Sequence, residues 1–436
     1  MSGALLDSLL QGSEALPASG HAWLDAARRE AISVLHRDGL PPARSEAWKY
    51  TALRALEQRR FAAGDMSAGE RAVDREVFAI PGVSAPRLVF VNGRMRPDLS
   101  ELPDIAGLSL VSLAAVLEGD AEPLRFFLAR HWRDAAEPFA RLNTALADDG
   151  PVLRVAAGQR IEPPIHLVFV GAPGDQPIAW HVRALIELGE GAGASLIEHH
   201  VGSGEHEHLG NLVSQVVLRP GAALDLVQIQ DAASGATLIR RSEFDLADDA
   251  ELRLHGVERG ARLMRHDLRV NLIGPRASVN SRGIFTLCDR QHVDTQLAID
   301  HAARDTSSDV FWRGVADQRA RGVFRGAIRV APGADGADAR LSNKNLLLST
   351  QAEIDTQPVL EIHADEVQAS HGATVGQLDP AALFYLRSRG LPQAEARALL
   401  TFAFCREALS GISPPDLLDH LAEALLDRLP DSTQTA

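Results

Sequence analysis

Lysine and cysteine are nearly missing from this chain of 436 residues. Lys49 and Lys344 are the only lysines, so every other basic side chain is arginine, a bias of the kind a GC-rich genome imposes. Cys288 and Cys405 are the only cysteines, which excludes a disulfide framework. No uninterrupted apolar run approaches about 18 residues, the length of a membrane-crossing helix. Positive charge is also in deficit. Lys plus Arg total 44 against 58 Asp plus Glu, a net −14, which makes the chain a poor candidate for duplex nucleic acid, whose phosphates need a concentrated basic face. Several catalytic signatures are absent too. Neither lysine follows glycine and precedes Ser or Thr as a phosphate-cradling loop requires, and Gly202-Ser203-Gly204 lacks the third glycine of a dinucleotide site. There is no Gly-x-Ser-x-Gly elbow and no His-Glu-x-x-His helix. Met1 to Gly20 has no basic patch and carries Asp7 and Glu14, so a secretory signal is not expected and the expected compartment is a reducing cytoplasm.

What remains is an ordinary globular balance, 45% hydrophobic and 23% charged, in a chain long enough for two to three domains. Residues 1–150 read as a helical N-terminal region with a small β element. Leu24, Ala27, Ala31, Val34 and Leu35 recur at helical spacing until Pro41-Pro42, and a helix is predicted after Arg44 with Trp48, Leu53 and Leu56 as its apolar positions. Leu88 to Val91 reads as a strand closed by Asn92-Gly93, Ser112 as the N-cap of a helix that ends near Gly119, and Phe139, Leu142 and Leu146 as helical. Residues 379–436 form a C-terminal helical region. Its first helix is capped by Asp379-Pro380 and stops at Gly390. A second carries Ala396, Leu399, Leu400 and Ala403, and a third follows Pro414-Pro415. These helices are expected to cap the end of the core or to offer a docking face.

Residues 151–378 have a different texture, with short apolar runs such as Ile165 to Val170, Val213 to Leu218, Leu224 to Ile229 and Leu268 to Leu272. A four-residue motif ends at Leu196, Leu224, Leu252 and Val279, at intervals of 28, 28 and 27 residues, with Ala339-Arg340-Leu341 as a later member. Stacked coils produce such a period, because one coil cannot cover its own inner face. A sandwich of hairpins is the alternative, but tight Asn-Gly or Asp-Gly turns are scarce here. The predicted fold is mainly β, with a β-helix (solenoid) core between helical ends.

Three sets of side chains are candidates for chemistry. His199-His200 and His206-Glu207-His208 place four imidazoles close in sequence, on a presumed loop, where they would either gather a metal or sit on a solvated coil edge. Cys405 and Cys288 read as small packed hydrophobes, and two thiols fall short of the about four ligands an iron–sulfur cluster takes. His371 lies in Gln368-Ala369-Ser370-His371-Gly372-Ala373-Thr374-Val375-Gly376, where small neighbours let a partner approach closely.

That last segment carries a resemblance. Asn343 to Ser349, Ala352 to Pro358, Leu360 to Ile362, Ser370 to Gly376 and Leu383 to Gly390 resemble the SufB/SufD family of iron–sulfur cluster assembly proteins, and more its SufD branch, with further matches at Arg321 to Gly326 and Ser45 to Thr51. The resemblance implies a right-handed parallel β-helix, and a scaffold role without catalysis in a complex with SufB and two copies of the ATPase SufC. It implies a transient iron–sulfur cluster at an interface shared with SufB, none being held stably by the isolated chain, and His371 as the ligand from this side. Relatives often have Cys where Ala369 stands, so a thiol role there is lost. It places SufC docking at the C-terminal helices, including Phe384, Tyr385 and Arg387, and SufB pairing along the β-helix, with a homodimer when SufB is absent. Two other readings stand beside it: a β-helix enzyme acting on polysaccharide through Asp294, Asp300 and Arg304, and a stand-alone metal-binding protein using the histidines between 199 and 208.

Overall fold

The computed structural model describes residues 3–42, 45–64, 66–132 and 137–426. A head comes first, with helices α1 (Ala4–Ala15), α2 (Ala22–Asp38), α3 (Arg54–Glu57), α4 (Leu113–Leu117), α5 (Arg125–Leu128) and α6 (Pro138–Leu146). Strands β1 (Ala62–Ala63), β2 (Arg87–Val91), β3 (Arg94–Met95), β4 (Leu108–Ser112) and β5 (Pro151–Val155) are interleaved with them. Ser112 caps α4 as the sequence predicts, its hydroxyl accepting from the Ala115 amide at 3.2 Å. The single helix expected after Arg44 is not formed. A 3₁₀ turn at Glu46–Trp48 and the short α3 take its place, because Thr51 leaves the helical path to bond the solenoid. Arg44 itself lies outside the described residues.

The core is a parallel β-solenoid of about eight turns. Its strands are β6 (Arg160–Gly171), β7 (Ile178–Leu188), β8 (Gly193–Gly202), β9 (Leu209–Leu218), β10 (Ala223–Asp231), β11 (Thr237–Leu246), β12 (Glu251–Glu258) and β13 (Leu263–Leu272). They continue as β14 (Ser278–Leu287), β15 (His292–His301), β16 (Ser307–Ala316), β17 (Arg321–Val330), β18 (Asp338–Leu347), β19 (Glu353–Ile362) and β20 (Gln368–Gly376). Even-numbered strands from β6 to β20 stack in one sheet and odd-numbered strands from β5 to β19 in the other, so the chain changes sheet at every turn. Hairpins do not build this core.

The register corrects the sequence repeat in detail. Leu224, Leu252 and Val279 are true partners, but Ala194 and not Leu196 pairs with Leu224, and the later member ends at Ala339 rather than Leu341. Both errors are two residues long, and in a strand two residues return to the same face, so the apolar pattern could not expose them. The true repeat is a turn residue followed by a buried small residue. Gly191, Gly221, Asp249, Arg276, Asp305 and Gly336 all have positive φ, and each donates its amide to a carbonyl of the next turn at 2.7–3.1 Å. Ala192, Ala222, Ala250, Ala277, Thr306 and Ala337 follow them and are buried.

Alternation then sorts each strand. Leu196, Leu226, Leu254, Val310 and Leu341 fill the interior, while Ile197, Val227, Ile229, Val257, Ile284, Val315 and Leu346 point outward. Each interior aliphatic contributes about 1.5–3 kcal/mol by leaving water. Trp312 spans several coils, its indole lying 2.5 Å from where a Cβ on Gly283 would stand and 2.8 Å from one on Gly256. A side chain at either glycine would displace the ring.

The outward row is covered by α8 (Gln393–Arg406) and α9 (Pro415–Leu426), which follow α7 (Pro380–Ser388). Cys405, Ala408, Leu409, Leu417, Leu421 and Leu425 pack on it, so Cys405 is the packed hydrophobe expected of it. Burial pushes its thiol up to about 12. The predicted cap is not what these helices make, since they lie along the flank and leave the last coil bare. Ala396, Thr401 and Cys405 are the buried residues of α8, whereas Leu399 is exposed.

Candidate functional site at the open end of the solenoid

The first end of the solenoid is closed. Strand β3 runs antiparallel to β2, and β4 antiparallel to β5, so the terminal strands carry their own cover. At the other end β19 bonds only β17 and β20 bonds only β18, leaving one backbone edge of each unpaired among the described residues. An unpaired edge is a template for another strand.

His371 sits on that edge. It pairs in register with the interior Leu341, and parallel partners share a face, so Ala369, His371, Ala373 and Val375 form the inward row of a coil with nothing stacked over it. His371 is exposed as a result. Small residues keep the strand bare: a Cβ on Gly372 or Gly376 would meet nothing within 4 Å. Beneath the row Asn345 Nδ2 donates to Asn343 Oδ1 at 2.6 Å and to the Thr374 carbonyl at 3.1 Å, and Thr356 Oγ1 donates to Asn343 Oδ1 at 2.8 Å. This amide pair ties β18 to β19 and β20 and fixes the platform that presents the imidazole. Val375 and Ile362 add apolar surface at 42% and 41% exposure.

Helix α7 begins close behind β20. The Asp379 carboxylate accepts from the Ala381 amide at 2.9 Å, and Gly390, with φ of +94°, follows the end of the helix. No residue of α7 is buried. Phe384 and Tyr385 are 72% and 55% exposed, and Arg387 is exposed beside them. Phe384 and Arg387 line an open groove with Leu391 and Pro392.

The other candidates are brought together only in part. His206 and His208 stack with ring centroids 4.6 Å apart and share a small cavity with His200, while the rest are separated. His199 and His200 are neighbours on β8 and therefore point to opposite faces, both buried, where the sequence suggested a loop. His199 stacks on His166 outside the sheet, with centroids 5.6 Å apart. His200 faces inward, stacks on Phe169 and donates Nε2 to Glu198 at 2.6 Å. Burial and then Arg240 lower the His200 pKa to about 4. Burial would raise Glu198, but Arg240 and His200 hold it well below the usual carboxylate range. His208 uses both ring nitrogens, accepting from the Ile178 amide and donating to the Ala172 carbonyl. Among the described residues no group of three or more His, Cys, Asp or Glu is arranged to hold a metal.

Asp294 is buried and bonded by Thr51, Arg265 and Gln296, whereas Asp300 pairs with Arg329 and Arg304 with Asp335. Asp294 and Asp300 lie six residues apart on one straight strand, about 20 Å, well beyond the spacing of a paired-carboxylate glycosidase. The Ser45 to Thr51 segment is a clamp. Trp48 is buried under the Arg265 guanidinium at 4.1 Å, and the Thr51 hydroxyl donates to Asp294 while accepting from His292.

Comparison with known proteins fits this architecture. Residues 4–167 match the SufBD protein N-terminal region, and residues 170–404 match the SufBD core domain of SUF system FeS cluster assembly. The chain belongs to the SufBD family. It is 30% identical over 406 residues to the iron-sulfur cluster assembly protein SufD of Escherichia coli, covering 92% of each chain. A SufBD family protein of Synechocystis is 31% identical over 410 residues, 91% of this chain and 89% of that one. SufD of Bacillus subtilis is 26% identical over 267 residues, 60% of each. In SufBD terms, the core match begins inside β6 and ends within α8, and so contains both the open end and His371.

Proposed function

We propose that the chain is a non-enzymatic scaffold subunit of a cytoplasmic iron–sulfur cluster assembly complex, acting with SufB and the ATPase SufC. Relatives named for iron–sulfur cluster assembly support the process. The observation that carries the reading to a site is His371, an exposed imidazole on the inward row of an uncovered coil. The growing cluster is cargo here. A neutral imidazole ligates iron, and one imidazole from this side with a thiolate from the other makes a shared site that opens when the subunits part. The free edges of β19 and β20 are the surface for SufB, or for a second copy of this chain when SufB is absent. Phe384, Tyr385 and Arg387, on the least buried helix, are the surface for SufC.

The test is co-expression with SufB and SufC from the same host, with light scattering and mass spectrometry of what co-purifies. A stable three-component assembly is expected, and recovery of this chain alone would overturn the scaffold reading. In that assembly His371→Ala should leave subunit stoichiometry intact and reduce cluster formation, followed by its visible absorption. Cluster formation at the parental rate would remove His371 from the site.

A further inference from the structure

The two turn edges of the solenoid differ in how fully their arginines are paired, since one edge carries Arg259, paired with Asp231 at 2.7 Å, beside three arginines without ion pairs among the described residues. On the edge that leads into the even-numbered strands, arginines are matched by acids: Arg219 with Glu187 at 2.6 Å, Arg276 with Asp249 at 2.6 Å and Arg304 with Asp335 at 3.4 Å. On the opposite edge Arg262, Arg290 and Arg319 are exposed on consecutive turns and form no ion pair among the described residues. Arg290 and Arg319 each follow a residue with φ of +53°, Asp289 and Gln318, and the Arg319 amide donates to the Asp289 carbonyl at 3.0 Å. Arg290 and Arg319 hold equivalent positions in adjacent coils, about 4.8 Å apart along the backbone, so their like charges are stacked in a chain of net negative charge.

The acids on this edge are otherwise engaged. The Asp289 carboxylate accepts a hydrogen bond from the Cys288 thiol at 3.6 Å, and Asp317 Oδ1 accepts from the Gln318 amide at 2.8 Å. Arg319 gives only Nε to a neighbour, Gln351 Oε1 at 2.6 Å. The arginines line an open groove of about 690 Å³ whose other walls include Asp289, Ser234, Ser349 and Thr350, the Ser234 hydroxyl donating to Glu205 and the Ser349 hydroxyl to the Gln318 carbonyl. Planar guanidinium forks match phosphate oxygens, and a run of linked phosphates crosses adjacent turns where a single carboxylate reaches one.

We propose that this groove is a polyphosphate-binding site, taking a linear di- or triphosphate along the solenoid axis, at a place separate from the open end. Inorganic triphosphate is the probe, titrated calorimetrically into the purified full-length protein at low and at physiological salt. One site is expected, weakening as salt rises. The double variant R290Q/R319Q should weaken binding at least about tenfold, through loss of two charge-assisted contacts. R276Q, on the opposite edge, should leave binding unchanged, and thermal midpoints of the variants should match the parent because all three residues are exposed. Absence of binding to the parent protein overturns the proposal, as does an equal loss in R276Q, which would mark general charge attraction. Binding of an acidic peptide in place of triphosphate overturns it as well.

Discussion

The two ends of the solenoid are made from the same kind of strand and finished in opposite ways. At the first end Phe90 is fully buried and stacks on Phe169 at 5.5 Å, under antiparallel strands supplied by the head. At the last end the equivalent inward row holds Ala369, His371, Ala373 and Val375 and is open to water. Stacked coils need a cover at each end, and this chain supplies one only where its own sequence returns to make it. The difference teaches that exposure at β20 is a property of the design of that coil, since a single imidazole and small residues replace the Leu341, Asn343 and Asn345 that stand one coil earlier.

Acidification should widen the difference most. His166, His181 and His200 belong to the first coils, and burial lowers their pKa to about 3, 3 and 4. The unfolded chain binds their protons near pH 6.5 and the folded one does not. Their neutral state therefore contributes full stability above pH 6.5, which is lost as pH falls toward 4. At pH 4.5 the loss is about 2–3 kcal/mol for each histidine that stays neutral, read from denaturant midpoints across pH. Hydrogen exchange should show the first coils losing protection before β18 to β20. Next in size, Phe90→Ala should cost about 3–5 kcal/mol in urea unfolding. Thr51→Val removes the hydroxyl that serves buried Asp294 and should cost about 1–3 kcal/mol, with the head losing protection in hydrogen exchange. Smallest, Val375→Ala and His371→Ala should each shift stability by less than about 0.5 kcal/mol, since neither side chain is buried. A large loss in either would mean that the last coil is part of the core after all.

The coil period, the helical ends and the capped starts of α4 and α7 could all be read from the chain, because periodicity and capping residues act locally. Exact register could not. Leu196 and Ala194 share a face, and only the stacked left-handed turn at Gly191 decides between them. The Ser45 to Thr51 segment looked helical from Trp48, Leu53 and Leu56, yet its shape is set by Asp294 and Arg265 more than 200 residues away. The histidine pair at 199 and 200 looked like a site because spacing carries no direction until the strand is known. His371 stood out through its small neighbours, and that signal corresponds to the bare edge. The flank position of α8 was hidden, because its buried stripe is Ala396, Thr401 and Cys405 rather than its leucines.

The ladder of left-handed turn residues from Gly191 to Gly336 has a consequence for how such a chain can change in length. Successive coils in register are 30, 28, 27, 29 and 31 residues long, measured from Ala194 through Leu224, Leu252, Val279 and Ser308 to Ala339. The surplus is absorbed at the edges, where turns lengthen without disturbing the pleat. Inside a strand one inserted residue would send every following side chain to the wrong face, so growth has two permitted units: a loop at an edge, or an entire coil. A duplicated coil would bring its own turn residue and its own share of interior, and would move the terminal imidazole outward by one rung.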